Sequence, residues 1–591
     1  MLDSSETAIQ EAMRRGDYLD AYDRAQVAAD RAGGDLRFEF AATLALARSN
    51  ATGQAALRYA KLRDRADEAV GTLRVDILAL GARIAKDRAF RTKGESANSA
   101  LRAAAQAYAE VFESTRASFP GVNAATLTLL AGDDEGAHAL ARDALAAAQS
   151  ESATDSTGNY YRYATIAEAQ LVLGAIDEAE KSLVLARNCQ PDAFGSHTTT
   201  LKQLQRIVEY RKLSPSVLRC LRAPTAVHYS GHRFGSAVSL HEERRLADAI
   251  AACFERFEVG FVFGSLAGGA DILFVEAALA RGAYAHIVLP FEREDFIRIS
   301  VAPSGPGWVE RFERCLECAE SVSYTTTDGY LGDDAVYGYT SDLAMGLASL
   351  RAANLLGEAR QIVLWDGVAS GRGALAGTAA DMTNWQATGR QVEIIEMPPG
   401  LRSPKTPDSD LKATNRTTRV MLFGDVKGFS KLRDGQLLAF SSVVLGALAA
   451  VLDRYPEIEL RNTWGDGLFI VMDDVIAAAN CALDLQEAMA AIDLVSENLP
   501  TTMGLRLGMH YGPVFPVLDP ITRVSNFIGE QVSRSARIEP VTPEGSVYVT
   551  EAFAAAISLR PNADFRCEYV GEVDAAKGYG KFRMHALERG R

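Results

Sequence analysis

Long apolar runs, matched cysteines and a surplus of positive charge are all missing from this chain. The longest strongly apolar stretch, SSVVLGALAAVL at 441–452, is about half of the roughly 20 residues that cross a bilayer, so a packed helix is expected there. The amino terminus, MLDSSETAIQEAMRR, is acidic and polar where a secretory leader carries basic residues and then an apolar stretch, which points to a cytoplasmic protein. Cysteines number seven, and only Cys315 and Cys318 form a CxxC. With no second ligand pair nearby, helix-face thiols are expected there rather than a zinc or redox centre. A formal charge of -14 argues against general affinity for nucleic acid or anionic membrane. A phosphate-bearing substrate then needs a metal ion or a local arginine to offset repulsion.

What is present is ordinary globular composition, 48% hydrophobic and 23% charged over 591 residues, enough for three or four domains with separate cores. Residues 1–213 are alanine-rich at helical spacing. In EAMRRGDYLDAYDRAQVAADRAG, residues Ala12, Gly16, Tyr18 and Ala21 fall as two close-packed helices and a tight turn would place them, and Gly174 and Ala179 repeat the theme. The pattern resembles tetratricopeptide-type helical pairs, and FPGVNAATLTLLAGD at 119–133 resembles a motif of the TRAFs-binding helical domain. That likeness implies a regulatory domain with a protein partner.

From residue 222 to 396 apolar strands alternate with helices (AVHYS, GFVFGS, AHIVLP, QIVLWDG), which predicts a doubly wound parallel sheet. Its glycines follow strands directly, where turns at helix N-termini offer backbone N–H groups to phosphate or ribose. The arrangement SGHR…GSLAGGAD…EAA resembles the SLOG and TIR-like Rossmannoid group. The resemblance implies that Gly231, Arg233, Gly268, Gly269, Asp271 and Glu276 line a sensor pocket for a nucleotide-derived ligand. Residues 397–418, rich in Pro, Ser, Thr and charge, read as a linker.

The segment from 419 to 591 reads as a βαββαβ unit with a hairpin in the middle, a ferredoxin-like α+β sheet. Two aspartates interrupt its apolar strands, Asp425 in MLFGDVKGFS and Asp466 in NTWGDGLFIVM, and the topology brings both to one edge. Two carboxylates in one cleft repel each other unless a cation joins them. A divalent metal pair would also serve phosphoryl transfer.

Here the motifs FGDVKGFS, TWGDG, LGMHYGPV, NFIGEQVSRSARIEP and AAKGYGKFRMHAL, in this order over about 170 residues, resemble the catalytic domain of class III nucleotidyl cyclases. The resemblance implies that Asp425, Asp466 and the Val426 carbonyl bind two Mg²⁺ or Mn²⁺ ions per site. The backbone around Gly428, Phe429 and Ser430 would hold the triphosphate of a nucleoside triphosphate substrate. Arg537 would reach across from a second protomer to the α-phosphate, and Lys577 would lie near the terminal phosphates. A homodimer with two composite sites follows.

Three positions depart from the common adenylyl form. Asn462 stands for the base-contacting lysine, Asn526 for its acidic partner, and Ser533 for the ribose-orienting asparagine. Amides both donate and accept, so the base is left open, and a shorter hydroxyl predicts slow turnover. The expected activity is a 3′,5′-cyclic nucleotide synthase, adenylate cyclase by family frequency, with pyrimidine cyclase of bacterial antiphage signalling or a catalytically silent nucleotide-sensing scaffold as alternatives. Arg534 is expected to be a solvated surface charge.

Overall fold

The computed structural model describes residues 2–94, 96–152, 155–235, 238–368, 376–398, 400–403, 415–561 and 563–590. Half of the expected linker, 404–414, lies outside them.

Helices from Leu2–Arg15 to Phe194–Tyr210 fill the amino-terminal region, joined by short turns. Small residues set their spacing: Ala12, Ala21 and Ala25 have no exposed surface, so neighbouring backbones approach closely. Gly16 closes the first turn at φ 78°. A Cβ there would lie 2.6 Å from Leu355 Cδ2, so this turn also seats the helical region on the central domain. Gly174, at φ 83°, caps Ser156–Leu173 in the left-handed conformation, as helix C-termini commonly require.

The central domain is a six-stranded, all-parallel sheet of β1 (Thr225–Gly231), β2 (Val259–Gly264), β3 (Tyr284–Leu289), β4 (Ser321–Tyr324), β5 (Ala359–Trp365) and β6 (Val392–Glu396), in the order β4-β3-β2-β1-β5-β6. Helix Leu240–Arg256 starts on a Ser239–Glu242 capping box and packs with Ala270–Ala280 and Trp308–Cys318 in one core. Helices Ala335–Asn354 and Thr378–Ala387 contribute to separate clusters on the sheet. The chain reverses its progression between β1 and β5, the switch point where open α/β sheets form a crevice.

The carboxy-terminal sheet contains β7 (Thr417–Lys427), β8 (Ile458–Trp464), β9 (Gly467–Met472), β10 (Gly504–Leu518), β12 (Val547–Thr550), β13 (Phe565–Asp574) and β14 (Lys581–Arg589), ordered β13-β14-β12-β10-β7-β9-β8, with β11 (Ser525–Ile528) beside the far end of β10. The segment β10-β7-β9-β8 is antiparallel throughout, the strand order of a ferredoxin-like unit. The helical stretch Asp434–Leu452 contains the apolar run 441–452, where a packed helix was expected. Among the described residues it is the one helix long and apolar enough, by length and composition, to cross a membrane. Phe440, Val444, Leu448, Val451 and Leu452 on it are buried in the domain core.

Helix Ala335–Asn354 packs against Glu551–Ser558. Gly346 lies so close that a Cβ would stand 2.6 Å from the Ala555 carbonyl oxygen. The Tyr339 hydroxyl donates to the Tyr511 carbonyl across the same boundary (2.9 Å).

Candidate active site

Strand β7 pairs with β9 so that Asp425 stands opposite Gly467, one residue past Asp466. The two-residue turn joining β8 to β9 needs Gly465 at φ 72°, and the Val426 N–H donates to the Asp466 carbonyl (3.3 Å), fastening the turn to the exit of β7. Both carboxyls therefore meet at one sheet edge. Burial first, and then the charge of Asp425 beside it, push the Asp466 carboxyl above its ordinary pKa. That is the mark of two acids short of positive charge.

Two further groups belong to this cleft. Arg506 is the register partner of Asp425 across β7 and β10, and its Nη2 contacts both Asp425 and Glu539, the latter at 2.8 Å. Burial, reinforced by Asp425 and Asp466, pushes Glu539 up to about 7 although Arg506 pulls it down. Neither residue was expected. An arginine on a strand reads as the solvent-facing half of an alternation, and Glu539 reaches the site only because the short helix after Ser535 folds back under β10.

Asp425, Asp466 and the Val426 carbonyl supply hard oxygen donors suited to a divalent ion such as Mg²⁺. The excess acid of the cleft fits such a cation. The described residues hold no cluster of three or more His, Cys, Asp or Glu side chains placed to bind a metal, so remaining donors would have to come from backbone, water or substrate.

Gly428 follows at φ 97° and starts the tight turn Phe429–Lys431. The Phe429 ring packs 4.8 Å from Phe440, and Ser430 is exposed. Lys427 is paired with Glu544.

The remaining expected residues lie apart from the acids. Asn462 is exposed on β8, its Oδ1 accepting from Thr463 N (2.9 Å). Asn526 lies on β11, its Oδ1 accepting from Phe527 N (2.8 Å). Ser533 is exposed on helix Glu530–Ser535. Arg537 sits 5.8 Å over the Tyr579 ring with its buried Nε unpartnered, and Lys577 is exposed at φ 61°. Among the described residues, no hydrogen bond or ion pair joins Ser533 or Arg537 to Asp425 or Asp466 within the chain. Arg534 corrects an expectation: it is half-buried, stacked 5.0 Å over Phe582 and paired with Glu530 at 3.3 Å.

In the central domain, Gly231 ends β1 and Gly269 precedes helix Ala270–Ala280 at φ 119°. Protein atoms fill the space around these glycines: a Cβ would meet Ala270 Cβ at 2.3 Å from Gly231, Ser304 Oγ at 2.6 Å from Gly268, and Phe234 N at 2.5 Å from Gly269. Close packing of the chain on itself thus accounts for all three. Asp271 is buried and accepts from Ala267 N (3.1 Å), while Arg233 donates to the Ile299 carbonyl. Glu276 differs from expectation, because Arg311 of the helix Trp308–Cys318 takes up its carboxylate.

A ferredoxin-like sheet with two acids at the β7 exit and the β8–β9 turn defines a class of protein. Residues 412–589 match the family model "Adenylate and Guanylate cyclase catalytic domain", so the carboxy-terminal region is a class III nucleotidyl cyclase domain. Residues 17–128 match "Tetratricopeptide Repeats-Sensor", so the amino-terminal region is TPR-like. Among curated proteins, "Putative adenylate cyclase 3" of Rhizobium meliloti (strain 1021) is 25% identical over 159 residues, 26% of this chain and 26% of that protein. The chain thus spans about a quarter of the length of that relative. Similar solved structures include the adenylyl cyclase CyaB from P. aeruginosa, 16% identical, covering 30% of this chain and 98% of that one at TM-score 0.28. The guanylate cyclase domain of RhGC from Catenaria anguillulae in complex with GTP is 18% identical, covering 29% and 97% at TM-score 0.26.

Proposed function

We propose that the chain converts a nucleoside triphosphate, ATP by default, to its 3′,5′-cyclic nucleotide and pyrophosphate as a homodimer, under control of its helical and central domains. The observation that carries this reading is the convergence of Asp425 and Asp466, with Asp466 held above its ordinary pKa beside its neighbour.

A pair of divalent ions, when bound, lowers the pKa of the ribose 3′-hydroxyl and offsets charge on the leaving pyrophosphate. Asp425, Asp466 and the Val426 carbonyl hold that charge in place. The backbone of Gly428, Phe429 and Ser430 cradles the triphosphate, Lys577 meets its far end, and Arg537 from the second copy steadies the α-phosphate, a role suited to a planar five-donor cation. The 3′-oxygen attacks the α-phosphorus as the bond to the bridging oxygen of pyrophosphate breaks. Positioning and electrostatics supply the acceleration. Separation of Arg537 and Ser533 from the acids within one chain supports the composite dimer.

A second reading, a pyrimidine cyclase, is supported by Asn462 and Asn526, neutral amides where base discrimination falls. Incubating the full chain with each of four nucleoside triphosphates and Mn²⁺, with mass spectrometry of products, separates these readings, and a cyclic product from ATP is expected. No product from any triphosphate points to a silent scaffold. Asp466→Ala is expected to abolish turnover while leaving the melting temperature within a few degrees; undiminished turnover refutes the metal assignment.

A further inference from the structure

The helical domain encloses a cavity of about 330 Å³, within the roughly 300–1,000 Å³ typical of small-molecule sites. None of its lining residues belongs to the cyclase cleft. Its walls come from six helices, so no local sequence segment reveals it.

Five cations line it: Arg48, Arg83, Lys86, Lys202 and Arg206, against three carboxylates, Asp76, Asp87 and Glu168. Two positive charges are therefore in surplus inside a chain whose net charge is -14. The acids offset these cations only in part. Glu168 is buried and accepts from Thr126 (2.6 Å) and Gln203 (2.8 Å). Asp87 approaches Arg83 only to 3.8 Å, beyond hydrogen-bond reach.

Several donors are left over. The Nε atoms of Arg48 and Arg83 are buried without a hydrogen-bond partner, and buried donors normally have one. Arg206 lies 3.4 Å over the Phe90 ring, and among the described residues its side chain makes no hydrogen bond or ion pair. Lys86 is buried between Asn123 (2.7 Å) and Gln203 (3.0 Å), and burial lowers its pKa to about 8. Aromatic faces complete the wall at Phe40, Tyr108, Phe119 and Tyr161.

Orphaned guanidinium donors at this density match the oxygens of a phosphate, which Arg binds in a planar fork. A phosphate monoester carries about -1.5 to -2 at neutral pH, matching the surplus. The aromatic wall suits a flat ring on the same molecule. We propose that this cavity is a binding site for a small organic phosphate bearing a planar ring, its phosphate held by Arg48, Arg83 and Arg206.

The test is calorimetric titration of the full chain with 5′-AMP and with inorganic phosphate, in EDTA so that the cyclase cleft lacks divalent ions. One 5′-AMP per chain is expected, bound more tightly than phosphate, with affinity at least tenfold weaker in Arg83→Ala and Arg206→Gln and unchanged in Asp466→Ala. Absence of 5′-AMP binding, equal affinity in the cavity variants, or loss in Asp466→Ala alone each overturns the assignment. A second measurement needs no variant. In the wild-type protein at pH 8, saturating 5′-AMP is expected to slow acylation of Lys86 and Lys202 several-fold by mass spectrometry, and unchanged labelling of both overturns it.

Discussion

Arg506 stands across the β7–β10 ladder from Asp425 and holds that carboxylate and Glu539 with one guanidinium nitrogen. In the absence of metal it is the cation nearest the acids, and it occupies an oxygen that a divalent ion would share.

Removing it leaves three carboxyl groups facing one another. Arg506→Ala is expected to cost about 2 kcal/mol in metal-free buffer, the scale of a charge-assisted contact, or roughly 5 °C in melting temperature. Mn²⁺ should stabilise the variant more than the wild type. Equal metal-induced shifts in the two proteins would show that Arg506 and metal do not compete.

Ser533 is exposed on its helix, and its hydroxyl is shorter than a carboxamide. Ser533→Asn is expected to raise kcat on the order of tenfold to a hundredfold, part of the 10²–10³ that one transition-state donor contributes. Steady-state kinetics with Mn²⁺ and the preferred triphosphate read the effect; a fall in kcat argues that Ser533 already serves the reaction.

The β10–β11 hairpin exposes Leu518 (68%), Ile521 (89%), Val524 (57%) and Ile528 (51%), more apolar surface than a free hairpin of a monomer usually presents. The proposed second copy would cover it. Ile521→Asp with Val524→Asp is expected to shift sedimentation from dimer to monomer and to make turnover fall on dilution, with the melting transition of the monomer retained.

Two buried acids sit near the crevice of the central sheet. Burial raises Asp271 to about 7 and Asp381 to about 6, and Asp381 accepts from Ser230. Because the folded chain holds these protons more tightly than the unfolded one, stability is fully present below about pH 4 for these groups and is lost as pH rises to about 7. Asp381→Asn should flatten that part of the melting-temperature profile. A profile identical to the wild type would remove Asp381 from the account.

Much of this architecture was legible from alternation and glycine placement. Strands β1, β2, β3 and β5 are apolar runs bounded by turns, and the Gly465-Asp466-Gly467 hairpin announces itself. Strands β4 and β6 were not, because SVSY is exposed and VEIIE carries charge, so neither reads as the buried strand of a parallel sheet. Asp425 and Asp466 were readable as a pair because the topology that joins them is short-range and common. Arg506, Glu539 and the cations of the helical cavity were not: their meaning lies in neighbours far along the chain. The glycines after β1 and β2 carried a double signal, since a close packing contact and a ligand contact both forbid a side chain.

The seat of Gly346 against the Ala555 carbonyl leaves no room for even a methyl group between the central domain and the cyclase sheet. The Thr326 hydroxyl also donates to Glu530 (2.7 Å) and Gln531 donates to the Thr325 carbonyl (2.9 Å), a second fastening between the two domains. The helix that bears Ser533 is thus bolted to the loop after β4, so any rotation of the parallel sheet would bear directly on that helix, as a lever bears on its load.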